Sequence, residues 1–445
     1  MFSSTSLEDP TAPARGSLSS RRRGHTCAAG SPSGDTIAVH VRRLWNDALT
    51  ETSIDWKSLE EQYYVACFGR APVTIVRGDG TKVWDDEGRE YLDFAAGIAV
   101  NALGHANPEI ADAVASQART LVHTSNLFYT TPQLKLARTL IDNSCLDRIF
   151  YVNSGGEATE TAVKSARKYG QLNLDGAYEV VTTYRGFHGR SLAMTAATGT
   201  PAYQEPFQPM PQGFTHVEYN DLAALESAVS EKTCAVMIEL IQAEGGVYVA
   251  DPEYAAGIRS LCDERGILMI LDEVQTGIGR LGTFYGYERF GIEPDIIALA
   301  KGLGGGFPIG ATLFKEDCAV LRPGDHGSTF SGNPLVCAAA KVVTEKVLEP
   351  AFLDSVNSKG DALRQALESL RSTGKVVDVR GMGLLLGFQL DSVETADALI
   401  AGARDSGLLI IKVSADTVRM VPPLTVTESE IDAAAGIIRN VLLGL

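Results

Sequence analysis

Beyond about residue 55 the chain switches between two hydrophobic periods. Around Gly-Asp-Gly and Glu-Gly turns, PVTIVRGDGTKVWDDEGREYLDF (72–94) alternates apolar with polar residues, the period-two pattern of half-buried strands. NPEIADAVASQARTLVH (107–123) follows with a helical period, Asn107 standing as N-cap and Pro108 at the first helical position. Short apolar runs then alternate with helical stretches: RIFYVN, YEVVTTY, CAVMIEL, ILMILD and DIIALA, with helices that include 157–169 and 252–265. This order predicts an α/β fold, a mostly parallel sheet with helices on both faces. Past Asn333-Pro334 another capped helix begins. KVVDVRGMGLLLGFQL and TVRMVPPLTV read as strands, and Thr427 with Glu430 forms a capping box for a last helix. The expected organisation is a leader (1–55), an N-terminal segment joining a small domain (56–106), a large domain (107–333) and a C-terminal small α+β domain (334–445).

Composition narrows the function classes. A chain of 445 residues exceeds one small core. Its 39 basic against 55 acidic residues leave a net charge of −16, which argues against a nucleic-acid partner. No apolar run approaches the roughly 18 residues of a membrane span. Seven scattered cysteines without a C-x-x-C pair read as reduced thiols of a cytoplasmic protein, and no metal site is expected. The leader, with SSRRRGH and no apolar h-region, reads as a disordered tail or upstream extension, or alternatively as an organelle transit peptide.

The chemistry starts at DIIALAKGLGGGFPIG, where Lys301 closes a buried strand ahead of four glycines in five residues. Burying an ammonium costs several kcal/mol unless it is paired or neutralised. Three other segments sit at strand ends, where open α/β sheets bind ligands. In FYVNSGGEATE, Gly155 and Gly156 open a helix, either as a structural turn or as a phosphate cup. In ILMILDEVQTG, Asp272 is either a helix cap or an acid facing a ring nitrogen. YRGFHGRS sets the aromatic Phe187 beside Arg190. GIGRLG (277–282) matches the dinucleotide pattern G-x-G-x-x-G, but no helical period follows it, so it reads as a chance match. A phosphate cup, a strand-end acid and a neutralisable lysine together point to pyridoxal 5′-phosphate, held by Lys301 as a Schiff base.

With YLDFAAGIAVNALGH, NSGGEATE, FHGRSLAMTAATG, LDEVQTGIGR, LAKGLGGGFPIG, GDHGSTFSGNPL and VRMVPPL added, the chain resembles the class III, ornithine-type pyridoxal-phosphate aminotransferases of fold type I, from about Tyr63 almost to the C-terminus. The resemblance implies a seven-stranded-type sheet in the large domain and a homodimer with shared active sites. It implies that Lys301 carries the cofactor and the migrating proton, and that Asp272 pairs with the ring nitrogen. Gln275 would bond the phenolic oxygen, and the ring would lie between Phe187 and Val274, with Glu273 alongside. Gly155 and Gly156 would hold the phosphate, completed by Thr329 of the neighbouring subunit. Arg190, Ser328 and Arg419 would face the substrate, and Glu244 would pair with an active-site arginine when a one-carboxylate substrate is bound.

The chain departs from the family pattern at Gly156, Thr159, Leu240 and Ala243, the last two bearing on where Glu244 stands. His105, His123, His188, His216 and His326 show no ligand spacing and read as structural, with a place in the pocket lining as the alternative for His188 and His326. The resemblance within the family leans to the acetylornithine branch, with N2-acetylornithine and 2-oxoglutarate/glutamate as substrates in arginine biosynthesis. Other ω-amines (ornithine, succinylornithine, an acetyl-lysine analogue, 4-aminobutyrate), a same-fold aminomutase and a non-catalytic regulator are the alternatives.

Overall fold

The computed structural model describes residues 55–445. The expectations for the leader therefore lie outside the described residues, apart from Asp55. Two compact units are distinguished, Met1–Pro72 and Val73–Leu445. In the first, Asp55 caps the helix Trp56–Tyr63, its carboxylate accepting from the Ser58 amide.

The second unit is built on a seven-stranded sheet. In spatial order its strands are Arg148–Val152, Gly310–Phe314, Ile296–Leu299, Leu268–Asp272, Thr233–Ile238, Glu179–Thr183 and Phe214–Val217. Only Gly310–Phe314 runs antiparallel to its neighbours. Apart from Thr233 and Asp272 at strand ends, the central strands are apolar because helices cover both faces: Thr233–Ile238, Leu268–Asp272 and Ile296–Leu299 are buried at every position. The helix from Asn107 and that of 252–265 form as the capping residues predict, over Pro108–Thr120 and Pro252–Arg265. The helix expected at 157–169 is longer, Gly155–Asn173, because Ser154 caps it ahead of the two glycines.

The C-terminal segment forms an antiparallel sheet of Val376–Met382, Leu385–Leu390, Thr417–Met420 and Ile411–Lys412. TVRMVPPLTV is a strand only to Met420, since Pro422 and Pro423 have no N–H to continue the ladder. A third sheet joins Ile75–Asp79, Lys82–Asp85 and Glu90–Asp93 to Leu408–Leu409, which runs parallel to Glu90–Asp93. Residues more than 300 positions apart thus share one ladder. The capping box at Thr427 and Glu430 opens the helix Glu428–Leu443. No helix among the described residues is long and apolar enough to cross a membrane.

Register sets the site. Ile238 lies beside Leu271, and Asp272 beside Ala298, so Glu239, Asp272 and Lys301 emerge close together at the carboxyl edge of three adjacent parallel strands. Gly155 and Gly156 open their helix just after the end of Arg148–Val152, at the same edge.

Candidate active site

A cavity of about 320 Å³ opens at that edge. At one end stands the first turn of Gly155–Asn173, whose leading amides have no helical partners and carry partial positive charge. Glycine is sterically required here. A Cβ on Gly155 would stand 2.7 Å from Val274 Cγ1, and one on Gly189 would stand 2.8 Å from the Gly156 Cα. Thr159, one of the departures from the family pattern, donates through Oγ1 to the His188 carbonyl at 2.6 Å. This ties the segment carrying Phe187 to the same helix.

On the cavity floor, Asp272 accepts from the Val274 amide at 3.0 Å through Oδ1, and its Oδ2 lies 2.8 Å from His188 Nδ1. Burial alone would lower the His188 pKa, but the hydrogen bond and charge of Asp272 raise it overall. His188, one of the two histidines with a pocket-lining alternative, lines the cavity, and its Nε2 is buried without a partner among the described residues.

Lys301 lines the cavity and is half-buried. Its backbone has φ +40, an uncommon value for a non-glycine residue. Burial lowers its pKa, with Glu244 opposing and Arg419 reinforcing the shift. A lysine poised to lose its proton is a nucleophile.

Beside Lys301 stands an ion pair. Glu244 Oε1 accepts from Arg419 Nη1 at 2.6 Å and from Gln275 Nε2 at 3.3 Å. Arg419 is wholly buried and also donates to the Ala243 carbonyl at 3.0 Å, while its Nε and Nη2 have no partner. Burial would raise the Glu244 pKa, but Arg419 and Lys301 hold it below the usual carboxylate value. Leu240 and Ala243 are themselves buried and leave Glu244 on the arginine.

Four expected residues lie elsewhere. Glu273 turns away from the cavity and accepts from the Gly286 and Tyr287 amides at 2.8 and 2.7 Å, a placement that makes it part of the scaffold. Arg190 is exposed, its guanidinium 3.9 Å from the Tyr203 ring centroid and 5.2 Å from that of Phe187, with no acidic partner among the described residues. Ser328 accepts from Asn153 Nδ2 at 2.9 Å, and Asn153 lines the cavity. Thr329 is exposed, with no side-chain hydrogen bond to any described residue.

GIGRLG belongs to no dinucleotide cup: Arg280 within it is buried and donates to the Leu384 and Pro422 carbonyls. Among the described residues no cluster of His, Cys, Asp and Glu could hold a metal. Sequence reasoning missed Glu239, Asn153 and Val100 as lining residues. Of these, only Glu239 left a trace, an acid at the end of an otherwise apolar strand.

The donor set fits pyridoxal phosphate. Amides of a helix start suit a phosphate, a strand-end acid suits a pyridinium, and Phe187 and Val274 both line the cavity. The buried Gln275 Oε1 and His188 Nε2 are without protein partners. A sequence profile of the family described as Aminotransferase class-III matches residues 65–442, and the chain belongs to that family, whose members use pyridoxal phosphate.

The chain is 50% identical over 385 residues to the acetylornithine aminotransferase of Caldanaerobacter subterraneus subsp. tengcongensis, covering 86% of this chain and 98% of that protein. To the acetylornithine aminotransferase of Methanocaldococcus jannaschii it is 46% identical, covering 85% and 96%. Among solved structures it is similar to the ornithine aminotransferase from Toxoplasma gondii ME49, with TM-score 0.85, 32% identity and coverage of 90% and 97%. It is also similar to the N-acetylornithine aminotransferase from Stenotrophomonas maltophilia K279a, with TM-score 0.75, 35% identity and coverage of 87% and 98%. The protein is a pyridoxal-phosphate-dependent aminotransferase.

Proposed function

We propose that this aminotransferase moves the 5-amino group of N2-acetyl-L-ornithine to 2-oxoglutarate, giving N-acetyl-L-glutamate 5-semialdehyde and L-glutamate, in the cytoplasm and as a two-chain assembly. The observation that carries the reading is the Glu244–Arg419 pair at 2.6 Å beside Lys301. One substrate carries a single carboxylate and the other carries two. A site that alternates between them needs a buried arginine that is neutralised when the second carboxylate is missing.

When bound, pyridoxal phosphate supplies an electron sink for the bond-breaking step. The chain's own residues supply the rest. Gly155 and Gly156 receive the phosphate on their amides. Asp272, oriented by His188 and the Val274 amide, holds a proton on the ring nitrogen. Phe187 and Val274 orient the ring, and Gln275 meets its phenolic oxygen. Lys301 anchors the cofactor and then moves a proton at the substrate carbon that carries the amine, a role that a pKa lowered by burial favours. Arg190, without an acidic partner among the described residues, receives the carboxylate that both substrates share, and Ser328 sits near it. Arg419 receives the second carboxylate once Glu244 releases it.

Thr329 reaches the phosphate of the partner subunit. Its exposure supports this, as does the apolar surface next to it. Leu127 and Tyr129 are 85% and 94% exposed, Asn126 donates to the Ser328 carbonyl, and His123 packs on Phe330. The deciding experiment incubates purified protein with 2-oxoglutarate and, separately, N2-acetylornithine, succinylornithine, ornithine and 4-aminobutyrate, and measures glutamate. The reading expects N2-acetylornithine to give the highest kcat/KM. Ornithine giving a higher value would overturn the substrate assignment.

A further inference from the structure

Glu239 is the one carboxyl of the cavity that has no basic partner. It follows the strand Thr233–Ile238 and, by register, stands level with Asp272 on the neighbouring strand. Asp272 is paired with His188, and Glu244 with Arg419. Glu239 forms no ion pair with any described residue. Among the described residues its carboxyl accepts only the Phe187 amide, at 2.9 Å through Oε2, and Oε1 has no partner although the residue lines the cavity. The residue is 6% exposed. An isolated carboxylate at this depth, beside a second carboxylate, cannot remain ionised cheaply, and taking up a proton removes both penalties.

We propose that Glu239 is a neutral carboxylic acid in the working enzyme, holding the Phe187 segment through Oε2 and presenting an O–H donor from Oε1 to the cofactor bound in the cavity. This rests on the reading that pyridoxal phosphate occupies the cavity, between Phe187 and Val274. The acid then contributes in two ways. It fixes the backbone of the aromatic that orients the ring, and it offers the ring's polar edge a donor in place of a third negative charge.

The groups that face Glu239 bear this out. Burial is the main cause that pushes its pKa up to about 8. Asp272 adds to the rise, while His188, the Phe187 amide and Lys301 oppose it. Tyr219, whose hydroxyl donates to the Glu239 backbone carbonyl, is itself held neutral by burial. The donor form therefore prevails at neutral pH and is lost as pH rises through about 8. A glutamine at this position keeps an N–H donor and a carbonyl acceptor and cannot ionise.

Three measurements, two on the holoenzyme and one on its apo form, test the assignment, with pyridoxal phosphate as the probe. Infrared difference spectra of wild type against Glu239→Gln should show a protonated-carboxyl C=O band in wild type below about pH 7 that bleaches above about pH 9. Pyridoxal-phosphate affinity of the apoenzyme should stay within about threefold of wild type in Glu239→Gln and fall about tenfold or more in Glu239→Ala, about the worth of one hydrogen bond. The bound cofactor's absorbance should change as pH rises through about 8 in wild type and stay constant there in Glu239→Gln.

No carboxyl band assignable to Glu239, or a Gln variant as weak as the Ala variant, overturns the proposal. The infrared arm stands even where Glu239→Ala does not fold. If borohydride fails to fix the cofactor to Lys301 in wild type, the reading of the cavity itself is wrong. Normal fixation with no carboxyl band removes the Glu239 assignment alone.

Discussion

Replacing Glu244 by glutamine tests the idea that one acid governs which substrate the site accepts. In the wild type its Oε1 stands 2.6 Å from Arg419 Nη1, on an arginine with no exposed surface. With the charge centres roughly 4 Å apart and an effective dielectric near 20, the attraction is on the order of 4 kcal/mol. A second carboxylate entering the site must displace that acid, so part of its own attraction to Arg419 is spent on the exchange. A neutral glutamine competes far less.

Glu244→Gln should therefore raise kcat/KM for the glutamate and 2-oxoglutarate half relative to the N2-acetylornithine half, by about tenfold or more, equivalent to ~1.4 kcal/mol. It should also destabilise the fold. Breaking a fully buried pair costs about 3–5 kcal/mol. The Glu244 side chain keeps 30% of its exposure, and solvent screening there brings the expected loss to about 1–3 kcal/mol. Single-turnover rates for each half-reaction and urea unfolding of each variant measure the two effects. Equal rate losses in both halves would refute the gating argument, whatever the change in stability.

Lys301→Ala should abolish turnover and leave pyridoxal phosphate bound but no longer fixed by borohydride, as read by mass spectrometry; near-normal turnover would remove Lys301 from the chemistry. Asp272→Ala should cost at least about tenfold in rate, ~1.4 kcal/mol, because the ring-nitrogen proton loses its partner, and a smaller loss would mean that the acid does not face the ring. Mixing Lys301→Ala with Thr329→Ala chains should restore about a quarter of wild-type activity, since about half the dimers are mixed and each holds one good site; no recovery above the Thr329→Ala baseline after confirmed subunit exchange would place Thr329 in its own chain's site.

Burial holds the Glu273 pKa at about 8 against an ordinary 4.5, so the folded state binds the proton more tightly. Between about pH 4.5 and 8 the unfolded chain carries fewer protons on this group, and stability falls as pH rises. Glu273→Gln should flatten that slope in melting curves, and an unchanged slope would show that Glu273 is ionised throughout.

The site was legible where chemistry and chain order coincide. Lys301 showed itself as a charge at the end of an apolar strand, and Asp272 as an acid closing ILMILD; both stand at the sheet's carboxyl edge. Glu273 shows where such reading stops. Sequence places it next to Asp272, yet adjacent side chains leaving a strand end point in different directions, and its carboxyl is taken by two amides far along the chain. His188 carried no ligand spacing, and the sequence offered it with His326 as an alternative pocket residue; only the fold separated the two by setting the His188 ring 2.8 Å from Asp272.

By itself the sequence determined the alternation of strands and helices, the capped helix starts, and the residue types that the chemistry needs, because these depend on neighbours within a few positions. Tertiary structure alone decided which residues meet. Leu408–Leu409 joins the N-terminal strands, Glu244 reaches Arg419 across 175 residues, and Glu239 stands beside Asp272 without a counter-charge. Periodicity says which face of an element is buried, but it carries no information on strand order. Pairing of distant charges and the solvation left to each are properties of the assembled sheet edge, and they exist only after the chain has closed around it.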